Sequence, residues 1–99
     1  MTIDQIATML VAKKQALILL NNAKLNALCA ADWEINGKDR PEAKDIPAKI
    51  EAFKKAAKEY DARGVSLLKE AGINITNPVT FEYIMEKARA KVLADKSKH

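Results

Sequence analysis

Eight positions in the middle of the chain, Ile46, Ile50, Phe53, Ala57, Tyr60, Gly64, Leu67 and Ala71, recur at 4-3-4-3-4-3-4 intervals. That spacing is the apolar seam of a helix packed lengthwise on another helix. Between them stand Glu51, Lys54, Lys55, Lys58, Glu59, Asp61, Arg63, Lys69 and Glu70, so the opposite side faces water. The seam predicts a helix over 46–71. It is opened by Asp45-Ile46-Pro47, with proline in the first turn, and closed by a Schellman turn at Gly72. Thr2-Ile3-Asp4-Gln5 has the form of a capping box, and nothing interrupts the pattern until Asn36-Gly37, where a left-handed glycine can end a helix. A first helix over 3–35, roughly 48 Å long, follows. A polar loop over 36–45 connects the two. Asn77-Pro78 predicts the cap of a third helix over 78–95, whose apolar face is Phe81, Ile84, Met85, Ala88 and Val92, before a frayed basic tail over 96–99.

The first helix carries two apolar stripes on a 3.6-residue wheel. One is Ile3, Ile6, Leu10, Leu17, Leu20, Leu28, Ala31 and Ile35; the other is Ala7, Val11, Ile18 and Leu25. Two faces call for two neighbours. Helix 2, antiparallel, is expected on the first stripe, with small Ala57 and Gly64 accommodating bulky partners. Helix 3 is expected to run from the N-terminus of helix 1 along the second stripe. At roughly 27 Å it stops short of the far end, which leaves Asn22, Asn26, Cys29 and Trp33 as an uncovered face beside the loop. The predicted fold is all-α: one domain over 1–99, an elongated three-helix bundle built on a long antiparallel helical hairpin.

Composition agrees with this. Aromatic residues make up 5% of the chain, with three glycines and three prolines, which suits helices and gives strands little to use. The single cysteine, Cys29, excludes an internal disulfide. Lys13, Lys14 and Lys24 cut the apolar runs far below the roughly 20 residues of a membrane span, and the N-terminus lacks the basic region of a signal peptide. A cytoplasmic location without membrane contact is the expectation. The net charge of +4 is spread as zero over 1–36, +2 over 37–72 and +2 over 73–99, with acids interleaved almost throughout.

No motif names a reaction. Cys29 has no base near it in sequence, and the only histidine is His99 in the tail. The inward Glu-x-x-His pairs of helical-bundle metal sites are absent, as are a Gly-rich phosphate loop and a Ser-His-Asp set. The chain is read as non-catalytic, with no cofactor-binding or metal-ligating residue. Glu51 with Lys55, Lys55 with Glu59 and Glu59 with Arg63 read as i,i+4 ion pairs on the wet face. The layout of one long and two shorter helices also occurs in helical chorismate mutases, but their chemistry needs arginines on the long helix and helix 1 has none. Trp33-Glu34-Ile35-Asn36-Gly37 likewise departs from the Trp-x-Gly turn of WXG-type hairpins, so no family is assigned.

The functional expectation is a protein–protein interaction module, such as an adaptor, an assembly factor or an inhibitor of a larger enzyme. Its partner would be another copy or a larger protein, and its surface the end of helix 1 with the following loop. Trp33 is the anchor in that reading, with Asn22, Asn26, Cys29 and Arg40 around it. The alternative is sequence-nonspecific nucleic-acid binding through phosphate contacts from Lys38 and Lys44 in the loop and Lys87, Arg89, Lys91, Lys96 and Lys98 on helix 3 and the tail.

Overall fold

A computed structural model describes residues 2–40, 44–73 and 80–97. Among them are three α-helices and no strand: α1 (Ile3–Asn36), α2 (Ile46–Glu70) and α3 (Phe81–Ser97), with a 3-10 turn at Gly37–Asp39. The molecule is elongated, 57 × 27 × 18 Å. The all-α architecture and the long α1–α2 hairpin are as the sequence predicts. The Asn77-Pro78 cap, Lys98 and His99 lie outside the described residues.

Helix ends follow local chemistry. The Thr2 hydroxyl accepts from the Gln5 amide at 3.2 Å while the Gln5 side chain accepts from the Thr2 amide at 2.9 Å, completing the capping box. At the end of α2, Gly72 takes φ +79°, and the Gly72 and Ile73 amides donate to the carbonyls of Lys69 and Leu68. This is the hydrogen-bond pair of a Schellman close. Gly37 departs from expectation: its φ of −58° is right-handed and leads into the 3-10 turn. Asp45 precedes α2 with φ +53° and makes no side-chain cap. Thr80 opens α3, its hydroxyl accepting from the Tyr83 amide at 3.2 Å.

All eight seam positions of α2 are buried or half-buried. What they pack on differs from the prediction. The buried residues of α1 are Ala12, Ala16, Ala23, Ala27, Ala30 and Ala31, so α2 lies mainly on an alanine stripe; of the predicted stripe, Ala31 is buried and Leu20 sits against Gly64 as expected. The reason is size complementarity. The α2 seam alternates Phe53, Tyr60 and Leu67 with Ala57 and Gly64, and bulky knobs need small residues opposite if the axes are to approach closely. Gly64 is such a close approach: a Cβ there would stand 3.0 Å from the Leu20 side chain and 3.3 Å from the Ala16 carbonyl oxygen.

The third helix also sits elsewhere than predicted. It packs on the C-terminal half of α1, where Met85 and Ala88 join Ala27, Ala30, Ala31 and Ala57 in one cluster flanked by Leu28, Phe53, Phe81, Ile84 and Val92. Its apolar face is the predicted one; its position along α1 is not. Periodicity identifies a face without giving its height along the neighbour, and polar contacts accompany the height the structure adopts. Arg89 reaches Glu34 of α1, and the Lys58 ammonium of α2 lies 4.8 Å from the Phe81 ring centre. Consequently, among the described residues, the N-terminal half of α1 has α2 on one side and no helix on the other. Ile3, Ile6, Leu10, Val11, Leu17, Ile18 and Leu25 are exposed.

Candidate functional site

Two regions compete as a functional site, and the first is the end of α1. Trp33 is half-buried. The Arg40 guanidinium and the Lys49 ammonium lie 4.6 and 4.4 Å from its ring centre, within cation–π range. Gly37 makes room for the indole, because a Cβ at that position would stand 2.8 Å from Trp33 Cε3. Arg40 also pairs with Asp32, which in turn accepts from the Asn36 amide group at 3.0 Å. Burial pushes the Asp32 carboxyl up, but the Asn36 and Arg40 hydrogen bonds outweigh it and hold the carboxyl below its ordinary value.

The expectation leaves this end of α1 beyond the reach of α3; α3 packs on this half of α1 at Ala27, Ala30, Ala31 and Glu34, while the groups against the Trp33 ring are Gly37, Arg40 and Lys49. Asn22 and Asn26 are half-buried, and the Asn26 amide group donates to the Asn22 carbonyl on its own helix at 2.8 Å. Of the five residues expected to bind a partner, Cys29 alone is exposed. The indole lies against Gly37, with Arg40 and Lys49 on its ring.

Glu34 is the residue the sequence reading missed. Its carboxylate accepts from Arg89 Nε at 2.7 Å and Nη2 at 3.2 Å, and pairs with Lys54 Nζ at 3.0 Å, tying α1 to both other helices. The Arg89 hydrogen bonds, assisted by Lys54 and opposed by burial, hold its carboxyl below the ordinary range. A signal was present: Glu34 continues the 3- and 4-residue steps Ala23, Ala27, Ala30, an acid on the stripe that turns out to face α2. Among the described residues the predicted pairs of Glu51, Lys55, Glu59 and Arg63 do not come within 4.0 Å. Exposed i,i+4 side chains gain too little to be held in one geometry.

Two of the predicted phosphate contacts face carboxylates. Arg89 is engaged with Glu34, and Lys96 lies 4.0 Å from Asp39. Lys87 and Lys91, with Lys24 of α1, border a groove of about 270 Å³ whose apolar wall includes Leu28, Ile84 and Ala88. Lys38 and Lys44 are exposed near the turn. An isolated Asp61 on α2, whose carboxyl burial pushes up, adds no second group with which to share a proton. The described residues gather no three side chains of metal-ligating type.

The second region is the N-terminal half of α1. Its seven exposed apolar side chains are among only nine large ones exposed in the described residues, so outward hydrophobicity is concentrated on one helix. They share an arc of about 140° at 3.6 residues per turn. The polar residues in that arc are Lys14, Asn21 and Lys24. No described helix is long and apolar enough to cross a membrane. Compared with family models, with curated proteins and with solved structures, the chain finds no match in any of the three.

Proposed function

We propose that this chain is a non-catalytic protein–protein interaction module that docks through the N-terminal half of α1. The observation that supports this is the run of exposed Ile, Leu and Val side chains from Ile3 to Leu25 on one side of one helix. Scattered apolar residues on a surface need no explanation, whereas a contiguous patch larger than the few hundred Å² of an ordinary monomer marks an interaction site. The face has no aromatic residue among the seven, which separates it from interfacial membrane helices with Trp or Phe on the apolar side. A helix backed by a second helix is also stiff, so little ordering cost accompanies docking.

The test is site-specific photo-crosslinking in cells. A photoreactive residue replacing Leu10 or Leu17 is expected to give a discrete protein adduct, and one replacing exposed Glu51 on the far side of α2 is expected to give none. Equal labelling at Leu10 and Glu51 would remove the proposal.

A further inference from the structure

We infer that the occupant of this face is a second copy of the chain, with the two α1 helices antiparallel about a two-fold axis beside Lys14. The inference rests on the interaction-module reading above and names its partner. Three observations carry it.

The first is area. The seven side chains are between 45% and 84% exposed and together present on the order of 800 Å², what each partner gives to an interface of standard size. The stretch from Ile3 to Leu25 is about 33 Å long, enough for several turns of one helix to lie along another.

The second is the symmetry of the pattern. Counting outward from Lys14, Val11 and Leu17 stand three residues away, Leu10 and Ile18 four, Ala7 and Asn21 seven, Ile6 and Asn22 eight, and Ile3 and Leu25 eleven. An antiparallel pair with its axis at Lys14 therefore brings Val11 level with Leu17, Leu10 with Ile18 and Ile3 with Leu25. Small Ala7 leaves space for Asn21. A two-fold interface uses the same patch on both partners, so the patch must complement its own reversal. Six of its seven apolar side chains meet an apolar counterpart on reversal, Ile6 alone meeting Asn22, and an unrelated partner would impose no such mirror relation.

The third is topology. A second α1 supplies the neighbour that α3 supplies only at the other end, and α1 is then covered on both sides along its whole length. The arrangement carries one cost: Lys14 lies beside its symmetry mate. Its stem can stay on the apolar surface while the ammonium reaches water, and a lone polar seam residue fixes register while weakening association.

The experiment is sedimentation of the full chain at micromolar to millimolar concentration, joined to cysteine crosslinking in a Cys29→Ser background. We expect twice the 10.9 kDa chain mass. The double change Leu10→Lys with Ile18→Lys should give monomers with unchanged helical circular dichroism, a loss of affinity of at least 100-fold. Lys14→Leu should tighten the dimer by about tenfold or more, and added salt should tighten the wild type by screening the paired lysines. Lys14→Cys should oxidise to a disulfide-linked dimer while Ile3→Cys, far from its mate, should not. A chain that stays monomeric at millimolar concentration, a dimer indifferent to the double lysine change, or crosslinking at Ile3→Cys in place of Lys14→Cys would each overturn the inference. A monomer that still yields a Leu10 photo-adduct with another protein overturns only the second copy and leaves the interaction-module reading standing.

Discussion

Along its C-terminal half, α1 is wedged between α2 and α3; along its N-terminal half, among the described residues, it has α2 alone. The first region contains Met85, the largest fully buried side chain, the Glu34 ion-pair hub and the Trp33 ring against Gly37. The second contains seven of the nine exposed large apolar side chains among the described residues. The two halves have the same helix and the same alanine stripe, and they differ in what the remaining side chains do. In one they hold the fold together, and in the other they face outward.

The contrast can be broken most directly by truncation. Met85→Ala empties a site that is 2% exposed and is expected to cost roughly 2–5 kcal/mol of unfolding free energy. Leu10→Ala, measured in dilute solution by the same denaturant titration, should stay within about 0.5 kcal/mol. Comparable losses at the two positions would show that the N-terminal half is packed after all.

Gly64→Ala examines the hairpin where the two regions meet. An open helical glycine gains about 1 kcal/mol on becoming alanine. Here the new methyl meets Leu20 and the Ala16 carbonyl, and the backbone oxygen cannot swing aside as a leucine tip can. A loss of roughly 1–3 kcal/mol is expected; a gain in thermal stability would place Gly64 away from the crossing.

The smallest effect is electrostatic and belongs to the three-helix end. Because the Glu34 carboxyl is lowered in the folded chain, it contributes stability that is fully present above the ordinary carboxylate range. That stability is lost as pH falls through the lowered value, and Asp32 acts in the same direction. In melts across the acid range, Glu34→Gln should start less stable at neutral pH and lose less on acidification. Parallel curves for wild type and variant would mean that the hub does not couple to folding.

Legibility in the sequence follows the same division. The face of α2 was readable because one side alone is apolar, and the seam from Ile46 to Ala71 falls entirely on buried or half-buried positions. The face of α1 was misread because a wheel weighted by large side chains points to Leu10 and Leu17, whereas close packing selects Ala12, Ala16, Ala23 and Ala27. For α3 the pattern Phe81, Ile84, Met85, Ala88 identified the buried side. Its height along α1 brings Arg89 to Glu34, a pairing 55 residues apart that no local period encodes. The expectation of an uncovered end of α1 rested on that same height. With α3 moved, the open surface moves to the other end.

The alanine stripe also inverts how substitutions in this chain are to be read. A position that is small because its neighbour is close admits nothing larger, so Ala16, Ala23, Ala27 and Ala30 are the inflexible letters of α1, while its leucines and isoleucines toward the N-terminus can be exchanged without harm to the hairpin. A variant library sorted for folding alone should keep the alanines and scramble Leu10, Leu17 and Leu25. One sorted for docking should restore those leucines, and the difference between the two selections would separate folding from recognition on a single helix.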